Sequence, residues 1–170
     1  MKFIHFIDEN RVLFIRKYFK NKILDFIMFI VSFLGNLGLI WVFIDIYVFF
    51  FAKNKPLGIA IFISLIVNAI VVNAVLKPHF SRIRPYEKLK FDIKIKKPTD
   101  YSFPSGHTAA SFAVVGSLYV FNSNLFIPSL ILSLLMGFSR MYLGVHYFSD
   151  VFAGGLIGYI IGFIVGNIII

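Results

Sequence analysis

Residues 57–76 read LGIAIFISLIVNAIVVNAVL, a stretch of twenty residues with no charged side chain. A helix that crosses the hydrocarbon core of a bilayer needs about 20 mainly apolar residues, because that core is about 30 Å thick. The whole chain is similarly apolar: of its 170 residues, 59% are hydrophobic and 15% are charged, against roughly 45–50% and about 25% in soluble domains. The sequence therefore predicts an integral membrane protein.

Four further apolar runs lie on either side of this stretch. They cover about residues 24–51, 105–121, 126–143 and 148–170. The last run has glycine at every fourth position from 154 to 166, which suits close contact between helices. We predict an all-α integral membrane protein with about five transmembrane helices, folded as a single domain over residues 1–170.

Residues 1–22 mix apolar side chains with six of the 17 lysines and arginines. Asp8, Glu9 and Asn10 interrupt the apolar residues, and no small-residue cleavage site follows, which argues against a secretory signal peptide. The pattern predicts an amphipathic helix that lies in the membrane interface.

Positive charge is concentrated on one side of this membrane domain. The net charge is +9, and fourteen of the 17 basic residues lie within residues 1–22 and 77–97. With five spans, the N-terminal segment and the long loop 77–103 face the same side. Anionic lipid headgroups are the expected partners of this charge, and nucleic acid is not. The chain has no cysteine, which excludes disulfides and thiol catalysis.

The first of three polar motifs is SRMYLGVHYFSD, residues 139–150. His146 and Asp150 are four residues apart at the start of the last run, so they share a helix face. A carboxylate beside an imidazole fixes its tautomer and leaves the other ring nitrogen free to attack, as in a histidine nucleophile. The alternative interpretation is a histidine and an aspartate that only cap the helix.

A second motif, Pro104-Ser105-Gly106-His107, opens the run 105–121. A helix start offers free backbone amides and the positive end of the helix dipole, which together favour a phosphate. Gly106 permits close backbone approach, and His107 is placed to protonate a leaving oxygen. The alternative is an ordinary serine N-cap.

The third motif is KPHFSRIRP, residues 77–85, at the end of the opening stretch. Arg84 offers the planar fork that suits a phosphoryl group, and Lys77 adds a point charge. The alternative is a positive-inside anchor. We assign that anchoring role to Arg82 and to the remaining lysines of the loop, Lys88, Lys90, Lys94, Lys96 and Lys97.

Together the motifs supply what phosphoryl transfer requires: charge neutralisation, a nucleophile and an acid. A metal phosphatase needs several carboxylate ligands. Asp150 is the only acid inside a motif, whereas Glu87, Asp92 and Asp100 are scattered along the loop. We predict catalysis without a metal or another cofactor.

The three motifs resemble the signature of the type-2 phosphatidic acid phosphatase superfamily, also called lipid phosphate phosphatases. That signature is Lys-x6-Arg-Pro, then Pro-Ser-Gly-His, then Ser-Arg-x5-His-x3-Asp, and this chain matches every position in the same order. It looks like a small bacterial member similar to undecaprenyl-diphosphate phosphatases. The resemblance implies an all-α membrane core with the active site at the membrane interface. Many members have six spans, one more than the sequence predicts here.

The resemblance also implies a role for each motif residue. His146 would attack phosphorus and become phosphohistidine, with Asp150 orienting it. His107 would protonate the leaving group and then activate water. The phosphate oxygens would be held by Lys77, Arg84, Ser105, Gly106 and Arg140.

The substrate implied is a membrane lipid phosphate or diphosphate, first of all undecaprenyl diphosphate. Phosphatidylglycerophosphate and lipid A 1-phosphate are close alternatives, and a soluble phosphate ester is another. Vanadium haloperoxidases use similar residues but are soluble. A protein that only binds or transports a lipid phosphate would need neither a nucleophile nor an acid.

The side of the membrane is the remaining question. The positive-inside rule would make the active-site side cytoplasmic. Many bacterial members of the family work on the outer face of the cytoplasmic membrane, and we expect the outer face here. The oligomeric state is left open.

Overall fold

The computed structural model describes residues 2–170, and in this range the chain is helical with no strand. The α-helices are α1 Lys2–Tyr18, α2 Lys22–Leu34, α3 Leu39–Ile46, α4 Lys55–Asn68, α5 Lys77–Phe80, α6 Pro85–Lys88, α7 Gly106–Val120, α8 Phe126–Tyr142 and α9 Phe148–Ile169. A 3₁₀ turn, Asn36–Gly38, separates α2 from α3, and π-helical segments extend α3 through Tyr47–Phe51 and α4 through Ala69–Leu76. The all-α prediction is confirmed.

Two helical stretches are long and apolar enough to cross a membrane, Lys55–Lys88 and Phe148–Ile169. The pair Lys22–Leu34 and Leu39–Phe51 makes a third if it counts as one bent span, and Phe126–Tyr142 is a shorter apolar helix. The described residues therefore give two or three spans by length and composition, and five spans remain a prediction.

The run 24–51 is not the uninterrupted helix that the sequence predicts. It breaks between α2 and α3, and the two helices meet at an angle of 58°. Gly38 adopts φ +69° at this break, a left-handed conformation that glycine tolerates and other residues rarely adopt. Two glycines within four residues, Gly35 and Gly38, explain why the apolar pattern continues while the helix does not.

The loop also begins later than predicted. The helix that starts at Lys55 continues through the π-helical segment and α5 to Phe80, and α6 adds a further short turn. Pro78 lies within this helix and does not end it. Ser81, in the left-handed region at φ +45°, ends it instead. The irregular parts of the loop are therefore residues 81–84 and 89–105.

Helices α7 and α9 pack against each other at the centre, with α4 and α8 beside them. The glycine stripe of α9 makes this possible. A Cβ atom at Gly158 would overlap the carbonyl oxygen of Ala109, and one at Gly154 would lie 2.6 Å from the carbonyl oxygen of Ser105. The predicted close helix contact is confirmed, and it fixes the start of α7 beside the start of α9.

Helix α1 packs on α8 and α9, on the side where the three motifs meet. Asp8 and Val12 are buried, whereas Phe6, Phe14 and Tyr18 are exposed. This helix covers most of the segment 1–22 predicted to be amphipathic, of which Met1 lies outside the described residues. Its position in the membrane interface stays a prediction.

Candidate active site

The three sequence motifs meet around one cavity of about 1050 Å³. Lys77 comes from the start of α5, Arg84 precedes α6, Arg140 lies in the last turn of α8, and His146 lies in the turn between α8 and α9. With Gly106 and His107 from the start of α7, these residues line one end of the cavity. The structure therefore brings together six of the eight predicted site residues, while Ser105 and Asp150 lie behind them.

His146 is 1% exposed, and its surroundings fix its tautomer. Its Nδ1 lies 2.7 Å from the carbonyl oxygen of Ser102. Because a carbonyl oxygen can only accept, Nδ1 carries the proton and Nε2 carries the lone pair. The guanidinium of Arg84 donates from Nη1 to Nε2 at 3.2 Å. An unprotonated ring nitrogen is thus held at the cationic end of the cavity.

The pKa of His146 is well below its ordinary value. Burial is the largest cause, and the positive charges of Arg84, Arg140 and Lys77 add to it. Each of these effects penalises the imidazolium form. The free site therefore holds a neutral imidazole, which is the form that can attack phosphorus.

His146 precedes α9, so it does not share a helix face with Asp150 as the sequence predicts. Asp150 lies in the first turn of α9 and does not bond to His146 directly. Its Oδ2 is 3.6 Å from Nδ1, which is beyond a hydrogen bond. The Ser102 hydroxyl donates to that oxygen at 2.5 Å, and the Tyr147 amide donates to it at 2.8 Å. Ser102 therefore joins the two residues, its carbonyl to His146 and its hydroxyl to Asp150. Sequence reasoning missed Ser102, because a backbone carbonyl leaves no side-chain signature.

The sequence predicts that Arg82 is a membrane anchor, and the structure shows a different role. Its Nη1 donates to Asp150 Oδ1 at 2.5 Å, and its Nη2 donates to Asp8 Oδ2 at 2.8 Å. Its guanidinium also lies 4.1 Å from the ring centre of Tyr147. Asp8 in turn accepts from the hydroxyl of Ser149 at 2.5 Å. Arg82 thus bridges two buried carboxylates, one from α1 and one from α9.

Lys77 and Arg84 are 6% and 2% exposed, and both pair with Asp100. One carboxylate oxygen of Asp100 accepts from Arg84 Nη2 at 2.6 Å, and the other accepts from Lys77 Nζ. Partial burial would raise the pKa of Asp100, but these two cations outweigh it and lower its pKa to about 2. The sequence placed Asp100 among the scattered acids of the loop, whereas the structure places it in the site.

Arg140 and His107 complete the polar end of the cavity. Arg140 donates from Nη1 to Ser32, and its buried Nε has no hydrogen-bond partner within the described chain. His107 Nε2 lies 3.0 Å from the amide oxygen of Asn36, an acceptor, so this nitrogen carries the proton. Asn36 and Ser32 belong to the broken run and to no motif, so no pattern in the sequence indicates them.

Ser105 is fully buried, and its hydroxyl pairs with that of Thr108 at 2.9 Å. Its backbone amide donates to the carbonyl of Asp150 at 3.0 Å. Its predicted part in phosphate binding stays a prediction. Among the side chains that the structure describes, those of residues 6–36 and 38–170, no group of three or more His, Cys, Asp or Glu is placed to hold a metal ion.

The end of the cavity away from these cations is mainly apolar. It runs between α2, α3 and the helix that begins at Lys55, and it is lined by Phe29, Phe33, Val42, Leu65 and Ala69. Asn68 and Asn73 interrupt this apolar wall. The cavity thus joins a cationic end, which contains His146, to a mainly apolar part suited to hydrocarbon, the apolar limb.

Two solved structures share this fold. The TM-score is 0.81 with the structure described as the first transmembrane PAP2 type phosphatidylglycerolphosphate phosphatase from Bacillus subtilis, at 24% identity over 99% of this chain and 87% of that one. It is 0.75 with Aquifex aeolicus LpxE, at 30% identity over 95% of both chains.

Sequence comparison points the same way. The undecaprenyl-diphosphatase of Sulfolobus acidocaldarius is 34% identical over 121 residues, which are 70% of this chain and 58% of that protein. The chain thus matches little more than half of that relative's length. Residues 57–169, more than half of the chain, match the family described as the PAP2 superfamily. This protein therefore belongs to the PAP2 superfamily.

Proposed function

We propose that this protein hydrolyses a membrane lipid phosphate or diphosphate, with His146 as the nucleophile and without a metal. One observation carries the proposal. His146 Nε2 carries its lone pair beside Lys77, Arg84 and Arg140, because the proton is on Nδ1, which donates to the carbonyl of Ser102. In the empty site this lone pair accepts from Arg84 Nη1. A neutral imidazole next to three cations is suited to attack a phosphoryl group, whose negative charge the cations stabilise.

In the first step the three cations hold the non-bridging oxygens, and the free amides at the start of α7, with Gly106, add donors. His146 Nε2 attacks phosphorus, and the bond from phosphorus to the leaving oxygen breaks. His107 enters this step as an imidazolium, which the negative charge of the bound phosphoryl group favours, and it gives one proton to that oxygen. The products of this step are phosphohistidine and a lipid alcohol or a lipid monophosphate.

In the second step His107, now neutral, takes a proton from a water molecule. The water oxygen attacks phosphorus, the bond from phosphorus to Nε2 breaks, and inorganic phosphate leaves. Asp150 acts through Ser102 in both steps by keeping the Nδ1 proton in place. Arg82 acts one contact further away by holding Asp150.

The cavity is suited to a lipid substrate, because its apolar limb adjoins the cationic end where the phosphate would bind. Undecaprenyl diphosphate is our first choice. The Sulfolobus relative carries that substrate in its name, and an isoprenoid chain would fill a limb lined by phenylalanine and aliphatic side chains.

A glycerolipid such as phosphatidylglycerophosphate is the second candidate, and Asn68 favours it. Asn68 is 2% exposed, its Oδ1 has no hydrogen-bond partner among the described residues, and it lines the apolar limb. An unpaired buried amide oxygen is costly, and an isoprenoid chain offers it no donor. A lipid hydroxyl at that depth would satisfy it.

We also propose five spans for the membrane arrangement: the bent pair α2 and α3, the helix from Lys55, then α7, α8 and α9. The active site would lie at the outer face of the cytoplasmic membrane, with α1 in the interface beside it.

The test is phosphate release in detergent with EDTA present, from undecaprenyl diphosphate, phosphatidylglycerophosphate, phosphatidic acid and lipid A. His146→Ala should abolish release. His79→Ala, which removes an exposed histidine of α5, is the matched control and should retain it. Release that persists in His146→Ala, or that is lost in EDTA and restored by magnesium, would refute the mechanism.

A further inference from the structure

Asp100 occupies the place where a phosphoryl group would bind. Its two carboxylate oxygens face Lys77 Nζ and Arg84 Nη2, the same two donors that the proposed function assigns to phosphate oxygens. Carboxylate and phosphate share this geometry, because each presents two oxygens to a pair of cationic donors. The two anions cannot use the same donors at the same time.

The other donors of Arg84 show how complete this occupation is. Nε donates to the backbone carbonyl of Asp100 at 2.8 Å, and Nη1 donates to that of Val145 at 2.7 Å. Nη2 is shared between the Asp100 carboxylate and the carbonyl of Tyr101. A phosphate can therefore gain Arg84 only by displacing protein groups, and the Asp100 side chain is the most accessible of them.

The side chain of Asp100 is much more exposed to solvent than those of its two partners. Its side chain is 47% exposed, against 7% for Lys77 and 2% for Arg84. Asp100 also lies in the irregular part 89–105 of the loop, whereas both cations are held at helix ends. The carboxylate can turn into solvent while the cations stay in place.

We propose that Asp100 is an internal competitor of phosphate, filling the Lys77–Arg84 part of the site when it is empty and leaving when a phosphoryl group enters. The inference rests on the proposed function. Its use lies in product release: three buried cations would hold inorganic phosphate tightly, and a returning carboxylate weakens that hold. Asp100 would thus determine how tightly the site binds a phosphate group, whether of the substrate or of the free phosphate that leaves.

The test is the dissociation constant of inorganic phosphate, measured calorimetrically on the full chain in detergent. Asp100→Asn keeps the shape and removes the charge, and we expect about tenfold tighter binding, because the competent site no longer has to be vacated first. Asp92→Asn, an exposed acid of the same loop, controls for the loss of one negative charge and should bind as wild type does. Asp100→Glu should also stay within about threefold of wild type.

Phosphate binding by Asp100→Asn that is equal to wild type, weaker, or undetectable would overturn the proposal and make Asp100 a residue that merely positions the cations. A second measurement needs no change at Asp100. Because the chain has no cysteine, Thr99→Cys gives a single label site next to Asp100. Phosphate should speed maleimide labelling there, and an unchanged or slower rate would count against displacement.

These readouts do not require lipid hydrolysis. Tighter phosphate binding by Asp100→Asn without release from any lipid would leave this inference standing and remove the proposed function. Lipid hydrolysis by the protein, together with phosphate binding that is unchanged in Asp100→Asn, would remove this inference and leave the proposed function standing.

Discussion

Ser102 offers a direct test of how Asp150 reaches His146. Ser102→Ala removes the hydroxyl that donates to Asp150 at 2.5 Å, and it keeps the carbonyl that accepts from His146. Hydrogen bonds to charged groups contribute about 1.5–3 kcal/mol, so kcat should fall about 10- to 100-fold. KM should change little, because Lys77, Arg84 and Arg140 are untouched.

The assay is steady-state phosphate release from the preferred lipid in detergent. Ser133→Ala is the matched control: its buried hydroxyl donates only to a carbonyl of its own helix, α8, at 2.7 Å. This variant should keep wild-type kcat. If Ser102→Ala keeps kcat within about threefold of wild type, the carbonyl alone positions His146 and the link to Asp150 is irrelevant. A rise in KM with unchanged kcat would place Ser102 in substrate binding instead.

Three further predictions concern stability, each measured by thermal unfolding in detergent. Arg82→Met should cost about 3–5 kcal/mol, because it leaves two buried carboxylates without their shared cation; Lys88→Met, which removes an exposed ion pair, should cost less than about 1 kcal/mol, and equal losses would contradict the bridge. Gly158→Ala should destabilise the protein strongly, because its Cβ would overlap a carbonyl of α7, whereas Gly155→Ala, whose Cβ would lie 3.4 Å from its nearest neighbour, should be mild. The pKa of His146 is lowered in the folded protein, so below about pH 6.5 this histidine binds a proton in the unfolded chain but not in the folded one. Stability that is present above that pH should therefore be lost as the pH falls. His146→Gln should reduce this loss between pH 7.5 and pH 5, and an identical loss in both proteins would refute a neutral buried imidazole.

The motif residues of the site could be predicted because their spacing is local. Gly106 and His107 open α7, and Asp150 lies in the first turn of α9, so a helical reading of the sequence places these residues correctly. His146 is the exception, because it precedes α9. What joins one motif to another could not be predicted in the same way. Arg82 and Asp8 are 74 residues apart, and no pattern in either segment indicates the other.

In the membrane helices, too, some features could be predicted from the sequence and others could not. The apolar pattern of residues 24–51 predicts burial in lipid, yet it does not report the backbone conformation of Gly38, on which the break depends. The break matters to the site, because it exposes Asn36 to His107 and Ser32 to Arg140. The role of Asp100 could not be predicted for a related reason: its partners Lys77 and Arg84 lie 23 and 16 residues away in the sequence, and no local pattern connects them to it.

The contact of Asp8 with Ser149 joins positions 141 residues apart, in the first and the last helix of the described chain. During synthesis Asp8 is made well before Ser149 and stays without this partner until α9 begins to form. The pairing of Arg82 with both Asp8 and Asp150 is therefore completed only when α9 is in place. A chain whose translation stops before α9 has His146 and every cation of the site, but it lacks Asp150, the second carboxylate that Arg82 holds. The hydrogen-bond network behind His146 thus closes only after α9 has been made.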